Sequence, residues 1–85
     1  MREGRRDRWE WKTRAEWVDE LRSLCSRMNA AGAEPQWTGR RLNAYANEKF
    51  QVLHGTGVLT FEELRRLRDD LKHKAETLEA AAAAA

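Results

Sequence analysis

Tryptophan and basic residues are concentrated near the start of the chain, and this pattern is the strongest sign of binding chemistry in the sequence. Trp9, Trp11 and Trp17 are three of the four tryptophans, and they are interleaved with arginine and lysine. A tryptophan among cations can stack on a nucleobase, form a cation–π pair or anchor a protein interface. Trp17 belongs to a predicted apolar helix face, so we assign it to the core. The predicted partner-binding residues are therefore Arg6, Arg8, Trp9 and Trp11, and the alternative is that Trp9 or Trp11 packs over the helices as a lid.

A second pair of cations, Arg40 and Arg41, falls in the first turn of a predicted helix. Thr38 is the predicted N-cap of that helix, and Gly39 separates it from the two arginines. Cations are unfavourable at this end of the helix dipole, whereas a bound phosphate is favourable there. Arg40 and Arg41 are therefore candidate phosphate contacts, and two solvated arginines are the alternative interpretation.

The titratable residues form no pattern that is typical of catalysis or metal binding. His54 and His73 are far apart and lack the spacing of metal ligands, and Cys25 is the only cysteine. The segment 54–57 lacks the lysine of a phosphate-binding loop, so we interpret it as a helix stop followed by a turn. We expect a protein that is not an enzyme, with no catalytic residue, cofactor or metal ion, and with Cys25 in the core.

The size and charge of the chain favour one small domain that relies on a partner. The chain has 85 residues and a formal net charge of +2. A core of this size is marginal, and so low a charge disfavours a protein devoted to duplex nucleic acid. A single cysteine, the lack of a long apolar run and the lack of a secretory signal predict a cytoplasmic protein with no membrane partner.

Three helices are predicted from their start signals and their apolar spacing. Thr13 with Glu16 and Thr60 with Glu63 form capping boxes at the starts of the first and third helices. The second helix is expected from about 39 to 53. Apolar residues at steps of three and four predict the buried faces. These residues are Trp17, Val18, Leu21, Leu24, Cys25 and Met28, then Leu42, Tyr45, Ala46, Phe50 and Leu53, then Leu64, Leu67, Leu71, Ala75 and Leu78.

The predicted fold is mostly α. We expect a compact three-helix domain over 13–79, preceded by a short basic, Trp-rich arm over 1–12 and followed by an alanine tail over 80–85. The alternating pattern of 8–12 is also compatible with a short β-strand. A winged-helix arrangement, in which 52–53 pairs with 58–59, is the structural alternative.

The stretch 17–78 resembles a small helical module of phage and mobile-element proteins. The matching segments are Leu21-Arg22-Ser23-Leu24, Ala31-Gly32, Asn47-Glu48-Lys49-Phe50 and Gly57-Val58-Leu59-Thr60-Phe61-Glu62-Glu63-Leu64. They are similar to the accessory C-terminal domain of some single-strand-annealing recombinases and to the phage regulatory family that includes the Gem protein of phage Mu. The resemblance implies a non-catalytic accessory role near DNA transactions and carries over no site residues.

These observations favour a non-enzymatic helical binding module that docks on a protein partner involved in nucleic-acid transactions, as a phage or mobile-element accessory or regulatory protein would. The alternative is direct nucleic-acid binding, in which Trp9 and Trp11 stack on bases while Arg40 and Arg41 hold phosphates. A third interpretation is self-association through the apolar face of the third helix, and the oligomeric state stays open.

Overall fold

The first helix is fixed at its start by the predicted capping box. The computed structural model describes residues 13–84, and α1 spans Arg14–Ala30. The Thr13 hydroxyl accepts the N–H of Glu16 at 3.2 Å, and the Glu16 carboxylate accepts the N–H of Thr13 at 2.8 Å. Each bond satisfies a donor that the helix itself leaves unpaired. This capping box is confirmed.

The second helix, α2, spans Gly39–Phe50 and ends earlier than predicted. The chain leaves the helix at Gln51, which adopts the left-handed conformation with φ 56° and donates its N–H to the carbonyl of Asn47. Leu53 therefore lies outside the helix, and its side chain is 85% exposed. The prediction that Leu53 belongs to the buried face is wrong, because the helix stops before that face reaches it.

A short 3₁₀ helix, Gly55–Val58, connects α2 to the third helix. The N–H of Gly55 donates to Oδ1 of Asn47 at 2.6 Å, and the N–H of Thr56 donates to Oδ1 of Asn43 at 3.2 Å. Two polar side chains of α2 thus hold a turn. No β-strand occurs within 13–84, so the pairing of 52–53 with 58–59 is wrong, and the strand predicted at 8–12 lies outside the described residues.

The third helix, α3, spans Phe61–Ala84 and begins with the second predicted capping box. The N–H of Glu63 donates to the Thr60 hydroxyl at 3.1 Å, and the N–H of Thr60 donates to Glu63 at 2.9 Å. Leu59 and Leu64, on either side of this box, are both fully buried, as a hydrophobic staple requires. The alanines over 80–84 continue α3 with exposed side chains, so they lengthen the helix without enlarging the core.

α1 and α3 lie side by side and run in the same direction. In the first half of both helices Arg68 lies 2.8 Å from Glu20, and near their ends Arg27 lies 2.7 Å from Glu79. The second pair lies further along both helices than the first, so the two helices are parallel. The pairs cross the edge of the interface, where partly exposed charges contribute little energy but select one register.

α2 runs antiparallel to α3. Lys49 lies 3.9 Å from the carboxylate of Asp70, whereas Tyr45, one turn earlier in α2, lies under Lys74, one turn later in α3. Moving back along α2 therefore moves forward along α3. The start of α2 consequently meets the C-terminal half of α3, and the loop from α1 enters at that end of the domain.

The core lies between the three helices and contains most of the predicted apolar faces. Trp17 is 0% exposed, which confirms its assignment to the core, and Cys25 is buried as expected. Four of the five residues of the predicted apolar face of α3 are buried within one chain, and the fifth, Leu78, is partly buried. Self-association through that face stays a prediction. The buried α3 residues are Leu64, Leu67, Leu71 and Ala75. The predicted compact three-helix domain is confirmed for the described residues.

Candidate functional site

Trp37 lies in the loop between α1 and α2, and its main chain is held by the end of α1. The Asn29 side-chain amide donates to the carbonyl of Trp37 at 2.9 Å and accepts the N–H of Trp37 at 2.7 Å. The indole is 8% exposed. Because Trp37 directly precedes the N-cap Thr38, this clamp also sets where α2 begins.

Arg41 folds back over Trp37. Its guanidinium carbon lies 4.0 Å from the centroid of the indole, and Nη1 donates a hydrogen bond to the carbonyl of Pro35. Arg41 occupies the position of α2 that the glutamates of the capping boxes occupy in α1 and α3. A carboxylate there turns back to the N-cap amide, whereas this arginine turns back to the preceding loop. The guanidinium is thereby fixed by a ring on one face and a carbonyl at one edge.

Tyr45 completes an aromatic pair with Trp37. The two ring centroids are 5.4 Å apart at an interplanar angle of 82°, an edge-to-face arrangement. The Tyr45 hydroxyl donates to the carboxylate of Asp70, and Nζ of Lys74 lies 5.6 Å from the Tyr45 centroid. Burial, followed by the hydrogen bond to Asp70, raises the pKa of Tyr45 to about 12. The phenol therefore stays neutral and acts as a donor across the physiological range.

These side chains line two adjoining concavities, which together we call the Trp37 groove. The larger has a volume of about 450 Å³ and the smaller about 330 Å³. Three residues, Trp37, Arg41 and Lys74, line both parts. The larger part is completed by Met28, Ala33, Glu34, His73, Thr77 and Leu78, and the smaller by Ala44, Tyr45 and Glu48. All three helices and the α1–α2 loop contribute to this surface.

The Trp37 groove contains cations that no nearby carboxylate neutralises. Within 13–84, neither Arg41 nor Lys74 has a carboxylate oxygen within 4.0 Å. Arg27 and Arg68, by contrast, each contact a carboxylate at 2.7–2.8 Å. Glu34 lines only the larger part of the groove and Glu48 only the smaller. Both parts therefore share the two cations, and each part has one glutamate of its own.

The two arginines predicted as phosphate contacts separate in the structure. Arg40 is exposed, whereas Arg41 is half-buried against Trp37. A third concavity of about 320 Å³ at the start of α2 brings Arg22 and Ser26 to the same end of the helix. Phosphate contact by Arg40 and Arg41 stays a prediction. The predicted partner-binding residues of the arm, Arg6, Arg8, Trp9 and Trp11, lie outside the described residues and stay predictions as well.

The sequence pattern did not predict Trp37, Asn29 or Tyr45 as members of a site. The available signal was the placement of Trp37 directly before an N-cap, with Arg41 four residues later, since residues at this spacing meet at a helix start. The contact made by Asn29 could not be predicted from the sequence, because its partner is the main chain of a residue in another segment. Tyr45 was expected only as part of an apolar helix face.

Cys25 lines the third concavity together with Trp37, but it is not suited to nucleophilic chemistry. Its side chain is 5% exposed, and burial raises the pKa of the thiol while the charge of Arg41 opposes the increase. A raised pKa disfavours the thiolate, which is the reactive form.

Among the described residues, no three His, Cys, Asp or Glu side chains come together in a way that could hold a metal ion. No helix in that part of the chain is long and apolar enough to cross a membrane.

Comparison with known proteins identifies no relative of this chain. No family model matches it, and neither a curated protein nor a solved structure is similar to it. The resemblance of 17–78 to phage accessory and regulatory domains therefore stays a prediction. What bears on function is the chemistry of the Trp37 groove and of the basic arm.

Proposed function

We propose that this protein is a non-enzymatic helical module that docks on a protein partner. The observation that carries the proposal is the Trp37 groove, in which an edge-to-face aromatic pair, Trp37 and Tyr45, lies beside Arg41 and Lys74. Tryptophan, tyrosine and arginine are the residues that contribute most to protein interfaces. A concave surface that combines them with two cations that contact no carboxylate of 13–84 is well suited to a partner that supplies a carboxylate.

The groove favours a protein over a nucleic acid as its direct partner. Sequence-tolerant binding of single strands depends on open aromatic faces on which bases can stack. Trp37 is 8% exposed, Arg41 covers one face of the indole, and Tyr45 packs against it edge to face. A base could stack on Trp37 only by displacing Arg41, whereas a peptide side chain can use the groove as it stands.

The basic arm extends this proposal beyond the described residues. Trp9 and Trp11, with Arg6 and Arg8, combine the side chains that anchor interfaces with charges that guide association. We propose them as further partner contacts. A partner that handles nucleic acid is proposed from the resemblance to phage and mobile-element accessory and regulatory domains, and a cytoplasmic location from the single cysteine.

The proposal can be tested by capture of the partner from nuclease-treated lysate of the source cells. The wild-type protein should retain a partner, and the double variant Trp9→Ala with Trp11→Ala and the variant Arg41→Gln should each retain much less. Arg66→Gln is the matched control, because Arg66 is an exposed arginine of α3 that contacts Glu62 and does not line the groove. Equal capture by all four proteins, or loss of all capture on nuclease treatment, would contradict protein docking.

Direct nucleic-acid binding is the second candidate, and one observation favours it. The first turn of α2 has no acidic residue, and Arg22 lies at the same end of the helix as Arg40. An anion would be stabilised there by the helix dipole and the two cations. Titration of tryptophan fluorescence with an oligonucleotide at two salt concentrations tests this candidate. Quenching that falls steeply with salt and is lost in Arg40→Gln supports it, and no quenching at low salt rejects it.

A further inference from the structure

We infer that the Trp37 groove binds an acidic segment of the protein partner, with a carboxylate seated on Arg41 and Lys74 and an aliphatic side chain beside it. The inference rests on the proposed docking function and specifies the chemistry of the partner. It depends on three features of the groove: a fixed guanidinium, the distribution of charge along the groove, and the apolar residues of its larger part.

Arg41 is prepared to bind a carboxylate. A guanidinium has five N–H donors in a planar fork, and only Nη1 has an acceptor within 13–84, the carbonyl of Pro35. The indole of Trp37, 4.0 Å away, restricts the plane of the group. A carboxylate can accept from the remaining donors in a bidentate geometry. Because the fork is already held in place, little side-chain freedom is lost when the ligand binds.

The distribution of charge selects a segment with its acidic residues at the centre. Arg41 and Lys74 line both parts of the groove, whereas Glu34 lines only the larger part and Glu48 only the smaller. A chain that spans both parts therefore meets the two shared cations and one glutamate in each part. A nucleic acid, with a negative phosphate at every residue, would place phosphates beside both glutamates. A peptide with one or two central carboxylates and neutral flanks matches this arrangement.

The larger part of the groove adds an apolar surface next to the cations. Leu78, which is partly buried, lines it together with the buried side chains of Met28, Ala33 and Trp37. An accessible leucine favours an aliphatic group over a ribose or a second charge. The ligand is therefore a carboxylate with a leucine-like or methionine-like neighbour, and not an isolated anion.

The probe for this inference is a capped peptide with two central aspartates flanked by leucines, compared with the same peptide carrying asparagine at both central positions. Binding is followed by the indole N–H resonance of Trp37, assigned with Trp37→Phe. The aspartate peptide should move this resonance to saturation, and the asparagine peptide should bind at least about tenfold more weakly, because hydrogen bonds to a charged group are lost. Equal effects of the two peptides would overturn the inference.

Variants of groove residues show whether a loss of peptide affinity comes from a lost contact or from a change in the fold. Arg41→Gln should weaken the aspartate peptide about tenfold, and Arg66→Gln should leave its affinity unchanged. Because Arg41 also packs on Trp37, Lys74→Gln is the second variant, and the helical circular dichroism of each protein checks its fold. Unchanged affinity in both groove variants would refute the site.

Failure of this inference can be distinguished from failure of the docking function. If the peptide does not bind while nuclease-treated lysate still yields a partner that depends on Trp9 and Trp11, the acidic-segment inference fails and protein docking stands. If an oligonucleotide moves the Trp37 resonance in a manner that depends on Arg41 and the aspartate peptide does not, both proposals fail. The two titrations use the same protein, buffer and resonance, so the comparison is direct.

Discussion

The side-chain amide of Asn29 pairs with both main-chain polar groups of Trp37. It donates to the carbonyl at 2.9 Å and accepts the N–H at 2.7 Å, across a separation of eight residues. Asn29 lies in the last turn of α1, and Trp37 directly precedes the N-cap of α2. One side chain therefore joins the end of the first helix to the start of the second and fixes the position of the indole in the groove.

Replacing Asn29 with alanine should destabilise the domain and disorder the Trp37 groove. The change leaves the N–H and the carbonyl of Trp37 without their partner, which costs about 1–3 kcal/mol for a buried group. Urea unfolding followed by circular dichroism measures the free energy. Ser23→Ala, on the exposed face of α1, is the control and should change it by no more than about 0.5 kcal/mol. Equal stabilities of the two variants would show that the clamp contributes nothing.

Gln51→Gly should stabilise the protein. Gln51 ends α2 with φ 56°, a conformation that costs a residue with a Cβ roughly 1–2 kcal/mol and costs glycine little. The greater freedom of glycine in the unfolded chain offsets about 0.4–1 kcal/mol of that gain. The net expectation is an increase of about 0.5 kcal/mol in the free energy of unfolding, read from the urea midpoint.

Gln36→Gly, the same substitution at another position, should destabilise the protein. Gln36 is exposed in the α1–α2 loop and does not have a positive φ. Glycine there brings only the added freedom of the unfolded chain, so the variant should lose about 0.4–1 kcal/mol. A loss of stability in Gln51→Gly of the same size would indicate that the left-handed conformation carries no strain.

The starts of the helices could be predicted from sequence because their determinants are local. Thr13 with Glu16 and Thr60 with Glu63 each place all of the interacting groups within four residues, so residue type and spacing are sufficient. The end of α2 could not be predicted in the same way. Gln51 has no intrinsic preference for the left-handed conformation, and the side-chain hydrogen bonds that stabilise the following turn come from Asn43 and Asn47, within α2.

The groove was harder to predict than the core for a related reason. The arginine pair at 40–41 was recognised, but the position of Arg41 depends on Trp37 and on the carbonyl of Pro35, and the position of Trp37 depends on Asn29. Each of these contacts involves a loop whose path the apolar periodicity does not specify. Periodicity predicted that Tyr45 packs inward, but not that its hydroxyl reaches Asp70 on another helix.

Gly55→Ala should be strongly destabilising, whereas Gly57→Ala, two residues later, should not. Gly55 has φ +65°, and a Cβ there would lie 2.4 Å from Oδ1 of Asn43. The substitution therefore combines a strained backbone with a clash against Asn43, the side chain that accepts the N–H of Thr56, and we expect a loss of about 2 kcal/mol or more. Thermal unfolding measures the difference.

Gly57 is the control because nothing lies within 4 Å of a Cβ built on it and its φ is not in the left-handed region. Alanine at that position should be neutral or stabilising by about 0.4–1 kcal/mol, since it restricts the unfolded chain. Similar melting temperatures for the two variants would contradict the special role of Gly55.

Tyr45 makes the stability of the domain sensitive to alkaline pH. Burial and the hydrogen bond to Asp70 raise its pKa from 10.0 to about 12 in the folded protein. The neutral phenol is therefore favoured by folding, so its contribution is complete below pH 10 and is lost as the pH rises towards 12. Because the chain has one tyrosine, the near-ultraviolet absorbance of phenolate reports this residue alone.

The folded protein should show a phenolate midpoint well above that of the urea-unfolded protein. Tyr45→Phe should remove the absorbance change and flatten the fall in unfolding free energy over this pH range. Coincident midpoints for the folded and unfolded wild type would mean that Asp70 and the surrounding side chains do not stabilise the neutral phenol.

Cys25 should be protected from thiol reagents in the folded protein. Its side chain is 5% exposed, and burial raises the pKa above the ordinary value of 9.0. Both effects reduce the accessible thiolate, so reaction at neutral pH requires the domain to open. Modification in buffer should be slower than in urea by on the order of 100-fold or more, given the low population of open states in a stable domain. Rates that are equal in buffer and in urea would contradict the packing of α1 against the rest of the core.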